Sequence, residues 1–110
     1  CNYLTTLYGM VGNFLDVEQF SKLEVRQILA ASMGRTLEQL NDLSVEQAMT
    51  GPIIRGDIDT IREHLAILNH DQQRLTLYKN LGNSTIDVIS KFEHKPSEDR
   101  IEVMRELFNS

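Results

Sequence analysis

One stretch of the chain gathers residue types that do chemistry. In Thr50-Gly51-Pro52-Ile53-Ile54-Arg55-Gly56-Asp57 a stiff Gly-Pro turn precedes an arginine, and the arginine precedes a helix start at Asp57. A helix N-terminus attracts anions through its unpaired amides and its dipole. A guanidinium binds a carboxylate or phosphate through two parallel N–H groups. His64 follows on the helix that Asp57 opens, between Ile61 and Leu68 at the margin of the apolar stripe, where an imidazole can look into a cleft beside the core. The same residues also have an account without a ligand. Asp57 caps the helix, Arg55 pairs with Asp57 or Asp59, and His64 packs half-buried.

Other chemistries find little support. His64, His70 and His94 have no partner at i, i+4 and no H-E-x-x-H pattern, so no metal site is expected. No glycine-rich phosphate loop is present. Cys1 is the single cysteine, with no histidine near it, and cannot form an internal disulfide. Asn83-Ser84-Thr85 matches a glycosylation acceptor by letters alone and falls within a helical pattern. Arg55-Gly56-Asp57 spells an adhesion tripeptide, but a turn glycine before a capping aspartate explains it. A net charge of −5 argues against a general nucleic-acid surface, which needs clustered Lys and Arg. No apolar run approaches the ~20 residues of a membrane span, and no signal peptide is visible, so the expectation is a cytoplasmic protein with neither nucleic acid nor membrane as partner.

The elements that must position these residues are helical. Gly and Pro number 6 and 2 among 110 residues, which leaves little turn chemistry for a many-stranded fold. Leu4, Leu7, Tyr8, Val11, Phe14 and Leu15 recur at spacings of three and four, predicting a helix over residues 2–16; Gly9 and Gly12 inside it suggest a close helix–helix approach, either within the bundle or to a second copy of the chain. Val25, Ile28, Leu29, Met33, Leu37, Leu40 and Leu43 predict a second helix over 22–43, with Glu24, Arg26, Glu38 and Gln39 solvated. Ser44-Val45-Glu46-Gln47 reads as a capping box with a brief turn of helix after it, and residues 50–57 read as the least helical stretch.

Ile58, Ile61, Leu65 and Leu68 predict a third helix capped by Asp57. Leu75, Tyr78, Leu81, Ile86, Ile89 and Phe92 predict a fourth, capped by Asp71 and kinked or broken at Gly82. Ser97 caps a fifth, whose face is Ile101, Met104, Leu107 and Phe108. The expected architecture is an all-α bundle of about five helices in a single domain over residues 1–110. The start at Cys1, inside an apolar pattern, suggests that the chain is part of something longer.

Met49-Thr50-Gly51-Pro52-Ile53-Ile54-Arg55-Gly56-Asp57 followed by His64-Leu65, with Cys1-Asn2-Tyr3-Leu4 at the start and Tyr78 and Leu81-Gly82 further on, resembles the C-terminal domain of the Rossmann-like oxidoreductase family that carries domain of unknown function 2520. The resemblance covers roughly residues 1–89. Residues 16–20 lack the Gly-Leu turn common in that family, Ala48-Met49 replaces Ala-Leu, and the tail after Lys91 has no counterpart. The resemblance implies a second domain like that of 6-phosphogluconate dehydrogenase, placed after a Rossmann domain that binds NAD or NADP and is absent from these 110 residues. Such a domain closes the substrate cleft and forms a homodimer.

Carried over by position, Asn2, Thr50, Arg55, Asp57 and His64 fall at the cleft. Arg55, with Thr50 and Asp57, would bind a small anionic substrate, and His64 or Asn2 would hydrogen-bond the reacting oxygen. The hydride chemistry would belong to the cofactor and the missing half, leaving these residues inert alone. A different class of function also suits the apolar stripes: a stand-alone helical module that binds a partner helix.

Overall fold

The computed structural model describes residues 1–14 and 20–110, apart from the side chains of residues 12–14. The expectations about Gly12, Phe14, Leu15 and residues 16–19 lie outside the described residues. The protein is all-helical: among the described residues there are seven helices and no strand. It divides into two compact units, Cys1–Ser44 and Val45–Ser110.

The first unit contains α1 (Asn2–Phe14) and α2 (Lys22–Asp42). Ser21 opens α2 with a full capping box: its hydroxyl accepts from the Glu24 N–H at 3.1 Å, and the Glu24 carboxylate accepts from the Ser21 N–H at 3.3 Å. The Tyr8 hydroxyl donates to the Arg26 carbonyl at 3.1 Å, tying α1 to α2. Glu24, Arg26, Glu38 and Gln39 are exposed, as the period predicts. Val25 alone is buried on α2, whereas Ile28, Leu37, Leu40 and Leu43 of the same apolar set remain exposed. Within the chain no described neighbour lies against Gly9: a Cβ there would meet nothing within 4 Å.

The second unit contains α3 (Val45–Ala48), α4 (Pro52–Arg55), α5 (Ile58–Leu68), α6 (Gln72–Ile89) and α7 (Glu98–Asn109). Its core is Ile61, Ile86, Ile101, Met104 and Phe108, contributed by α5, α6 and α7, with Ile53, Ile58, Leu65, Tyr78 and Leu107 packed around it. Each such side chain contributes about 1.5–3 kcal/mol on burial. Asp57, Asp71 and Ser97 cap α5, α6 and α7 as the sequence predicts, each accepting from the backbone N–H three residues on. The Glu46 carboxylate accepts from the N–H groups of Glu93 and His94 at 3.0 and 3.2 Å, pinning the α6–α7 loop to α3.

Four expectations need correction. Among the described residues there are seven helices instead of about five: the brief turn of helix expected after Ser44 is α3, and α4 is a further four-residue helix. The latter lies inside the stretch read as least helical: Pro52 stands at the first helical position, where its missing N–H costs nothing. Gly82 neither kinks nor breaks α6. It is buried beneath the Phe108 ring, and a Cβ there would come within 2.6 Å of ring carbons. Leu81 points out of the core at 42% exposure, and Phe92 lies beyond the helix end.

Candidate functional site

The chain from Gly51 to Asp57 forms a rigid elbow. Gly51 adopts φ +107° and Gly56 φ +64°, a region that side chains with a Cβ rarely enter. Between them α4 makes a single turn and ends in a Schellman motif: the Gly56 N–H donates to the Ile53 carbonyl at 3.0 Å and the Asp57 N–H to the Pro52 carbonyl at 2.8 Å. Asp57 closes this motif and also opens the next helix. Its Oδ1 accepts from the Thr60 N–H at 3.2 Å and its Oδ2 from the Thr60 hydroxyl at 2.7 Å. These bonds stabilise the charged form and, with a smaller contribution from Arg55, hold the carboxyl below the ordinary aspartate range against a small opposing effect of burial.

Arg55 ends α4 and lies over this cap, with Nη2 3.5 Å from Asp57 Oδ2. The ligand-free account of Arg55 and Asp57 is therefore realised. It does not immobilise the guanidinium, which is 59% exposed. An exposed pair of this kind contributes about 0–1 kcal/mol, so a carboxylate or phosphate arriving from solvent competes for Arg55 at little cost.

His64 lies seven residues beyond Asp57 on α5, about two turns or ~10 Å along the axis. It is half-buried, and its Nδ1 is 2.8 Å from the Tyr78 hydroxyl of α6, with the rings edge-to-face at a centroid distance of 5.7 Å. Burial pushes the Tyr78 phenol above its usual range. His64, Tyr78, Ile67 and Leu68 line a shallow apolar hollow of about 200 Å³. Arg55 and Asp57 are not among its lining residues, so a ligand touching both Arg55 and His64 would have to span the two turns between them.

The structure thus brings Arg55 and Asp57 together and places His64 with Tyr78 instead. Thr50 is exposed immediately before the elbow, and Asn2 is the exposed first residue of α1 in the other unit. Tyr78 is the chemistry-bearing residue that the periodicity misses, since it registers there only as an apolar position. The Tyr78 hydroxyl occupies Nδ1, as donor to it or acceptor from it according to the tautomer, and leaves Nε2 as the imidazole's second hydrogen-bonding atom. Among the described residues no group of three or more His, Cys, Asp or Glu side chains is arranged to hold a metal ion, and no helix is long and apolar enough to cross a membrane.

The fold and the site define a protein that is all-helical among the described residues, with an exposed arginine on a locked turn. The family model described as Domain of unknown function (DUF2520) matches residues 1–85, and the chain belongs to that family. Neither a curated protein nor a solved structure matches it.

Proposed function

We propose that these 110 residues serve as the substrate-side and dimerisation domain of an NAD(P)-dependent oxidoreductase, similar to the helical domain of 6-phosphogluconate dehydrogenase. The observation that carries this reading is the exposed guanidinium of Arg55 on a turn locked by two positive-φ glycines and a capping carboxylate. A backbone this constrained is suited to presenting one charged group in a fixed direction, which lowers the entropy lost when an anionic substrate binds. Thr50 and Asp57 border that group. His64, held by Tyr78, and Asn2 are the candidates for hydrogen-bonding the reacting oxygen. NAD or NADP would be bound mainly by a Rossmann domain, and the residues present supply no hydride acceptor of their own.

The test is direct. Inorganic phosphate or a small dicarboxylate, titrated while the Arg55 Nε–Hε NMR signal is followed, should perturb that signal, and Arg55→Ala should weaken binding about tenfold or more, the value of one charge-assisted pair. Unchanged affinity with lowered stability would mean that Arg55 serves Asp57 alone. The 110 residues mixed with NADPH should show no turnover.

A second reading, a helical module that binds a partner helix without catalysis, is favoured by one feature. Between α1 and α2 lies a hollow of about 260 Å³ lined by Leu4, Tyr8, Ala30, Met33 and Leu37 among others. Homodimerisation through the same face would serve the first reading equally.

A further inference from the structure

The elbow is held from outside as well as from within, and the holding group comes from α7, beyond the residues that the family model matches. Arg100, in the first turn of α7, donates from Nη1 to the carbonyl of Gly56 at 2.7 Å. That carbonyl also accepts from the Ile58 N–H at 3.1 Å, so both of its lone pairs are engaged. The Arg100 stem lies against the same residue: a Cβ on Gly56 would come within 2.9 Å of Arg100 Cδ and 3.4 Å of Pro96 Cβ. Gly56 is buried, although Arg55 before it is exposed. The peptide between Arg55 and Asp57 is thus clamped by a guanidinium that comes from 44 residues further along the chain.

From this we infer that Arg100 is a positioning residue: it fixes the left-handed turn at Gly56 and thereby the direction in which Arg55 is presented to an anion. The inference deepens the proposed function and rests on it for the role of Arg55, but the clamp itself is a property of the fold. Two features favour positioning over general stability. The bond goes to a backbone carbonyl in the turn between α4 and α5, not to the core. The core contribution of α7 comes from other residues on it, namely Ile101, Met104 and Phe108. Loss of the Arg100 donors should therefore loosen the elbow while leaving the packed helices in place.

The experiment compares the intact protein with Arg100→Met, which keeps an aliphatic stem over Gly56 without donors, and with Arg100→Lys, which keeps a cation able to donate. Amide hydrogen exchange at Asp57, Ile58 and Thr60 should quicken about tenfold in Arg100→Met and return to within about threefold of the parent in Arg100→Lys, while the amides of Ile86 and Met104 hold their rates. The affinity for inorganic phosphate, followed at the Arg55 side chain, should fall with elbow protection and recover with it.

Unchanged exchange at the elbow in Arg100→Met overturns the clamp. Equal quickening at Ile86 and Met104 shows a general loss of stability and overturns positioning. A loosened elbow with unaltered phosphate affinity, in a protein where Arg55→Ala abolishes that affinity, also overturns it. If Arg55→Ala leaves phosphate affinity unaltered, the functional reading of Arg55 fails, and with it the role given to Arg100 in anion binding. The exchange data still decide whether Arg100 fixes the turn.

Discussion

Asp57 closes the Schellman turn of α4 with its backbone N–H and caps α5 with its carboxylate, and the protonation of that carboxylate links the start of α5 to pH. Its folded-state pKa lies below the unfolded value, so it stabilises the fold above the ordinary aspartate range, and that contribution is lost as pH falls through the depressed folded value. Acid titration of stability should therefore flatten in Asp57→Asn, which retains a capping oxygen but cannot ionise; chemical denaturation between about pH 5 and 2 measures this. Tyr78 has the opposite sign. Its raised pKa means that the neutral phenol suits the fold, so the stability it contributes is present below its ordinary value of 10.0 and declines as pH rises beyond it. Spectrophotometric titration should show a phenol ionising above the ordinary tyrosine range, and Tyr78→Phe should remove that late component. Gly56 is the third single-residue case. Its φ of +64° and the nearby Arg100 stem make even alanine costly, and Gly56→Ala should lower stability by more than ~1 kcal/mol in a denaturant melt.

Helix identity and helix function differ in how far local sequence determines them. The starts of α5, α6 and α7 were legible because a cap is a local device: Asp57, Asp71 and Ser97 each act on an amide three residues away. The α4 turn was not, since Gly51, Pro52 and Gly56 together read as a break, although Pro at a first helical position and Gly at its end are helix punctuation. Gly82 carries a similar lesson. Its meaning depends on Phe108, 26 residues away on another helix, and no period within α6 reveals that contact. Replacing an interior helical glycine by alanine ordinarily adds ~1 kcal/mol of stability. Here Gly82→Ala should instead destabilise by about 1–3 kcal/mol, because the new methyl meets the ring. A thermal melt with raised Tm would refute this packing account. The His64–Tyr78 contact eluded the sequence for the same reason, since its partners lie on different helices.

On the scale of the whole chain, the two compact units differ in what they bury. The second has a continuous core of five side chains, whereas on α2 of the first only Val25 is enclosed. Amides of α5, α6 and α7 should consequently exchange far more slowly than those of α1 and α2. The exposed apolar residues of α2 are the natural seat for the proposed dimer contact. Sedimentation should report twice the chain mass for the parent, and Leu37→Glu, which places a charge on that face, should shift it toward the monomer.

The helical class was legible throughout, because amphipathic periods survive whatever the helices pack against. The candidate site was legible only as a run of residues: Arg55 and Asp57 do meet, whereas the separation of His64 from them depends on tertiary geometry that spacing does not encode.

The helix that lies beyond the family match has a practical meaning for anyone expressing this protein. Trimming the gene after residue 85, where the family match ends, would cut through the last turn of α6 and remove Ile86, Ile101, Met104 and Phe108, four of the five core side chains, leaving Ile61 without the partners that keep it dry. The shortened polypeptide should collect in the insoluble fraction, while one ending after α7 stays in the supernatant.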